Sequence, residues 1–177
     1  KNDDFRFRRK GGINIKLPIN QIDFSRIDFQ YKEKSKFKLI DLTFSLKRGE
    51  TTAIVGLSGS GKSSILDLLL GLYQTNSGDI LIDGRNLKDI NLINWQRNIS
   101  IVSQDPFLLN DSIINNLKFG LENISFRSIK EVCIESGAHD FIENLPHSYN
   151  TIIGERGFKL SGGERQRISI ARAFLKN

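Results

Sequence analysis

The chain has 177 residues, 38% of them hydrophobic and 26% charged, with a formal net charge of +6. This is the make-up of a globular chain of about one domain, and it excludes a disordered or collagen-like one. The densest apolar run, residues 65–72, is interrupted by Asp67 and Gly71 and falls short of the roughly 18 apolar residues a membrane span needs.

Residues 1–16 hold six Lys or Arg against two Asp and so carry +4 of the net charge. Such a basic arm suits contact with nucleic acid, an anionic membrane face beside a transmembrane helix, or a solvated linker, and charge alone does not choose. The chain opens on Lys1, contains no Met and lacks the charged-then-apolar start of a signal peptide, which predicts an internal piece of a longer protein. Gly11, Gly12 and Pro18 punctuate the arm, and the domain is expected to start near Asn20. From Gln21 short apolar alternations predict strands. Leu42, Phe44 and Leu46 alternate with polar residues, and Lys47-Arg48-Gly49-Glu50 turns toward Thr51-Thr52-Ala53-Ile54-Val55, which predicts a hairpin feeding a buried strand. A loop rich in Gly and Ser follows over residues 56–63, then a short apolar helix over 64–72. Residues 79–84 and 98–103 read as two further strands, the second stopped by Asp105-Pro106. From Ser112 to about Leu145 the helical period dominates, and Cys133 within it reads as a small buried residue. An amphipathic helix begins at Ser161 and is expected to run on to the last residue.

Two segments point to phosphate. Gly56-Leu57-Ser58-Gly59-Ser60-Gly61-Lys62-Ser63 fits G-x-x-x-x-G-K-[ST] between an apolar run and a helix. Glycines there let backbone N–H groups curl around phosphate oxygens, and the helix start adds partial positive charge. Lys62 is expected to reach the β- and γ-phosphates, and Ser63 to offer its hydroxyl to Mg²⁺. The second segment, Leu160-Ser161-Gly162-Gly163-Glu164-Arg165-Gln166, has a capping box from Ser161 to Glu164. Its paired glycines cost helix propensity and leave bare N–H groups that can approach an anion.

Together the two segments resemble the Walker A loop and signature motif of ATP-binding cassette proteins, over about residues 21–177. The resemblance implies an α/β P-loop ATPase with an antiparallel β subdomain and a helical subdomain, ending before the C-terminal part of the core sheet. It divides the chain into a basic linker, residues 1–19, after a presumed transmembrane domain, and an incomplete nucleotide-binding domain, residues 20–177. ATP and Mg²⁺ are the implied ligands. Gly56, Ser58, Gly59, Ser60, Gly61, Lys62, Ser63 and Ser64 match the family's phosphate-loop positions, and Tyr31 resembles the aromatic that stacks on adenine. Ser161, Gly162, Gly163 and Glu164 match the signature, which acts on the nucleotide of a second copy in a head-to-tail pair. Gln104 is similar to the glutamine that contacts Mg²⁺ and the attacking water and relays nucleotide state; with Lys62 it makes up the implied catalytic set present in the chain. Residues 150–157, ending Gly154-Glu155-Arg156-Gly157, resemble the loop that exporter-type members set against the coupling helices of the membrane domain, so Gln104 and Glu155 are the expected contacts there. His139 and His147 match no ligand pattern.

The leading expectation is thus the ATP-hydrolysing domain of an exporter or flippase at the cytoplasmic face of the plasma membrane, with no nucleic-acid partner. Walker B, the catalytic glutamate and the switch histidine are expected beyond Asn177, so the isolated piece is expected to be inactive. A soluble cassette ATPase acting on nucleic acid or the ribosome, and a non-catalytic nucleotide-binding remnant, are the alternatives. Trp95-Gln96 leans toward lipid or lipid-linked sugar as cargo, or marks a packing anchor.

Overall fold

Strand β1 (Gln21–Phe29) forms the centre of the N-terminal half, pairing antiparallel with β2 (Leu39–Lys47) on one side and β3 (Ser77–Ile82) on the other. The short β4 (Arg85–Asn86) completes a four-stranded sheet of order β2-β1-β3-β4. This computed structural model describes residues 11–31 and 37–176. They fall into two compact units, one running to Ile99 and the other beginning at Ser100.

Phe24 lies opposite Phe44 of β2 and Ile80 of β3, and its ring stacks on Phe44 with centroids 4.4 Å apart. Strict alternation would bury Arg26 next. A bulge there, with Arg26 at φ 46, turns Ile27 inward instead and leaves the arginine exposed. Gly78 sits against the bulge at φ 72, where a Cβ would run into the carbonyls of Ser25 and Arg26.

Helix α1 (Lys62–Leu69) inserts Ile65 and Leu68 into the core of this unit. Its C-terminal end is closed by α2 (Leu92–Arg97): the Trp95 indole N–H donates to the Leu69 carbonyl at 2.6 Å, and Gln96 Nε2 to the Leu70 carbonyl at 2.8 Å. Those carbonyls have no partner within the helix, and the side chains of α2 satisfy them. Trp95 is 1% exposed, so it is a packing anchor, and nothing in its surroundings speaks to a cargo. The segment expected as linker is tied to the same unit from Gly12 onward. Ile13 bridges Ile90, the Ile15 amide donates to Asn94 Oδ1, and the Asp83 carboxylate accepts from the Asn20 and Gln21 amides. Most of the basic arm, residues 1–10, lies outside the described residues.

The strand reading needs two corrections. Residues 51–57 form no strand and are exposed, Val55 to 87%, and β2 pairs with β1 rather than with residues 51–55. Residues 98–103 likewise form no strand. Both runs carry the apolar, β-branched residues of buried strands, but a strand is made by its neighbours, and none lies beside them among the described residues. No parallel ladder, and hence no α/β core sheet, forms among the described residues; the one parallel contact is the isolated Ile13–Ile90 bridge.

The second unit is helical: α3 (Ile113–Lys118), α4 (Phe126–Glu135), α5 (His139–Glu143) and α6 (Gly162–Leu175). Ile113, Leu117, Ile129, Cys133, Ile142 and Ile168 make its core. The Cys133 thiol, pushed up to about 11 by burial, is inert, and His139 Nδ1 lies 2.9 Å from the Tyr149 hydroxyl. Helix α6 ends at Leu175, before the last residue.

A buried polar centre fixes the loop over residues 107–112. Asn116, fully buried, accepts from the Leu109 amide at 2.8 Å and donates to the Leu109 and Ser112 carbonyls. Arg172 of α6 donates to the Asn116 carbonyl at 2.9 Å and the Phe107 carbonyl at 3.0 Å. Asn116→Leu keeps the branched outline but leaves the Leu109 amide without its acceptor. Chemical denaturation of the full-length protein should show a loss of about 1–3 kcal/mol, the cost of leaving a buried donor unsatisfied.

Candidate functional site

The loop over residues 56–61 leads into α1 through Gly61, whose φ of 96 lies in the left-handed region. A Cβ at Gly61 would come within 2.5 Å of the Phe37 ring and 2.8 Å of Leu39, so both backbone and packing demand glycine. No side chain caps α1, in contrast to α2, α3, α4 and α6, which Asn91, Ser112, Ser125 and Ser161 cap. The first amides of α1 therefore point out of a helix start ready for an anion. Residues 56–60 and Ser63 are exposed. Lys62 Nζ folds back on the loop and donates to the Gly56 and Leu57 carbonyls, both at 2.8 Å. An ammonium held by neutral carbonyls alone can turn to an incoming anion without breaking an ion pair.

Ser64, next in the helix, is 5% exposed and its side chain turns away from solvent. The Tyr31 hydroxyl lies 2.8 Å from Ser64 Oγ and 2.9 Å from Asp67 Oδ2. The Tyr31 ring is half-buried, packed edgewise on Phe29 at 4.8 Å and Tyr73 at 5.0 Å. Structure thus brings Tyr31 to the helix that carries the phosphate loop. Asp67 was not singled out in the sequence, although its place three residues after Ser64 puts the two on one helix face.

The remaining expected residues belong to the second unit. Ser161 caps α6: its Oγ accepts from the Glu164 amide at 3.3 Å, and Glu164 Oε2 accepts from the Ser161 amide at 2.7 Å and its hydroxyl at 2.8 Å. Those two bonds from Ser161, the backbone one foremost, hold the Glu164 carboxyl below its ordinary value of 4.5. Gly162 and Gly163 are exposed in the first turn, with nothing nearer than 3.6 Å to where a Cβ would stand. Gln104 lies exposed in a bend, and Glu155 is exposed in a tight turn after Gly154. The turn is braced on the start of α3, since Ile153 donates to the Asp111 carbonyl and Ile113 to the Thr151 carbonyl. Among the described residues no cluster of His, Cys, Asp and Glu could hold a metal ion, and no helix is long and apolar enough to cross a membrane. An Mg²⁺ ion at the phosphate loop would take oxygen from the exposed Ser63 hydroxyl, which is the right donor type.

Residues 39–177 match the family described as ABC transporter. The chain belongs to the ABC transporter family. It is 46% identical over 165 residues to an ATP-dependent lipid A-core flippase of Syntrophus aciditrophicus (strain SB), covering 92% of the chain and 27% of that protein. It is 42% identical over 167 residues to a putative multidrug export ATP-binding/permease protein of Staphylococcus aureus (strain bovine RF122 / ET3-1), covering 94% of the chain and 29% of that protein. Among solved structures, a bacterial Atm1-family ABC exporter with ATP bound matches 94% of the chain and 29% of its own, with a TM-score of 0.89 and 36% identity. The chain therefore spans less than a third of these relatives, which resemble it as fused permease/ATP-binding exporters.

The ABC ATPase motifs leave a titratable mark on α6. A carboxylate whose folded pKa is lowered stabilises the fold above its unfolded value and ceases to do so as pH falls through the folded one. The stability gap between the wild type and Glu164→Gln should thus be open at pH 7 and close progressively below about 4.5, followed as thermal midpoints across pH. A gap that widens in acid would contradict this assignment.

Proposed function

We propose that the chain is the nucleotide-binding domain of an ATP-driven exporter or flippase, with the phosphate loop of α1 holding the triphosphate. The observation that carries this reading is the start of α1: a left-handed Gly61, no side-chain cap and Lys62 resting on carbonyls. A helix start open in this way suits an anion, and Lys62 supplies the cationic charge to meet it.

In this reading Lys62 leaves the Gly56 and Leu57 carbonyls to meet the β- and γ-phosphates. Ser63 is the loop's Mg²⁺ ligand, and the ion would offset charge on the phosphate oxygens. Tyr31 serves the base. Ser161, Gly162 and Gly163 of a second copy face the same triphosphate, so nucleotide joins two copies head to tail. Gln104 and Glu155 act as contacts to membrane-domain coupling helices and carry the closure to them. The likeness to membrane exporters supports a cytoplasmic placement against a membrane domain. A soluble cassette on nucleic acid draws no support from the described residues, because residues 1–10, with five of the six cationic side chains of the arm that suggested it, lie outside them.

In the full-length protein Lys62→Ala should weaken Mg-ATP binding at least tenfold, the scale on which one charge-assisted phosphate contact counts, and abolish transport. Equilibrium binding of a fluorescent ATP analogue together with vesicle transport checks this. Undiminished binding and transport would refute the assignment of the loop.

A further inference from the structure

Tyr31 is held by its hydroxyl, and the holding groups are on the phosphate-loop helix itself. Ser64 Oγ lies 2.8 Å and Asp67 Oδ2 2.9 Å from the phenol oxygen. A carboxylate only accepts, so the phenol proton goes to Asp67, and the Ser64 hydroxyl is then the group that donates to the phenol oxygen. Burial raises the phenol's pKa, with the Asp67 carboxylate adding to it, so the hydroxyl keeps its proton through the physiological range. Phe29 and Tyr73 pack edgewise against the ring. Ring contacts alone leave an aromatic side chain room to rock; two hydrogen bonds at its far end remove that freedom before a ligand arrives.

We infer that Asp67 is a positioning residue for nucleobase recognition: through the Tyr31 hydroxyl it fixes the ring that meets the base relative to the loop that meets the phosphates. This inference rests on the reading of Tyr31 as the base contact. Its chemical consequence is that a phenylalanine at position 31, which keeps the stacking surface, is a weaker substitute than its shape suggests. Asp67 touches neither base nor phosphate in this account and acts only through Tyr31. Ser64 borders the phosphate loop as well, so Asp67 is the cleaner handle.

The test compares Mg-ATP with Mg-tripolyphosphate, which lacks a base, by isothermal titration on the full-length protein. Wild type, Tyr31→Ala, Tyr31→Phe, Asp67→Ala and the double variant Tyr31→Phe/Asp67→Ala are compared. Tyr31→Phe and Asp67→Ala should each weaken ATP about three- to tenfold, the range of one or two net hydrogen bonds, and leave tripolyphosphate unchanged. The double variant should lose no more than Tyr31→Phe alone, because that substitution already removes the bond to Asp67. Additive losses, or equal losses for ATP and tripolyphosphate, would overturn the inference, the second by showing general damage to α1. If Tyr31→Ala costs ATP affinity while Tyr31→Phe and Asp67→Ala do not, the base reading stands and the inference fails. If Tyr31→Ala leaves the ratio of the two ligands unchanged, the base reading itself fails, and the inference with it.

Discussion

The Leu69 and Leu70 carbonyls, satisfied by Trp95 and Gln96, fix the helix on which the rest of the first unit's chemistry depends. With its C-terminal end closed by neighbouring side chains and its apolar face in the core, α1 can leave its N-terminal end open. An open helix start is a cost unless something binds there, since its first amides have no partner in the helix. Water meets that need in the empty protein and phosphate meets it better, because the charge of the anion adds to the hydrogen bonds. Everything else in the unit serves the placement of this end. The bulge at Arg26 turns Ile27 and Phe29 inward beside the helix, and Tyr31 follows directly on β1 to reach Ser64 and Asp67.

The two glycine-containing helix starts solve opposite problems. At α1 no side chain caps the first turn, so the helix start is left open. At α6 the Ser161 and Glu164 side chains satisfy the first turn from within, and the helix is complete without one. A ligand at Ser161 would therefore have to compete with the Glu164 carboxylate for the serine hydroxyl, which suits a contact made late, when a second copy closes, rather than one that recruits nucleotide. The two starts, similar in composition, thus divide between first capture and closure in the proposed cycle.

Much of this was legible in the sequence. Ser161 and Glu164 three residues apart announced the cap of α6, and the alternations from Gln21, around Phe44 and over residues 79–84 announced three strands, though not their pairing. The glycine at the entry to α1 was readable because it answers a steric demand that the Phe37 and Leu39 side chains make concrete at Gly61. Other features depend on distant partners and leave little local trace. Residues 51–55 and 98–103 look like strands but form none here, because strand character resides in pairing. The Arg26 bulge breaks the alternation that would have been used to find it. Asn116 and Arg172, 56 positions apart, meet only in the folded unit. Asp67 reads as an interruption of an apolar run and turns out to be the partner of Tyr31.

The most direct measurement is amide hydrogen exchange on the full-length protein, with and without Mg-ATP, resolved across residues 50–75. The account predicts slowed exchange at the loop amides of residues 58–64, where the open helix start takes up phosphate, and little change at the already closed end around Leu69 and Leu70. Saturating ATP that leaves the amides of residues 58–64 unprotected would contradict the claim that this helix start is where nucleotide binds.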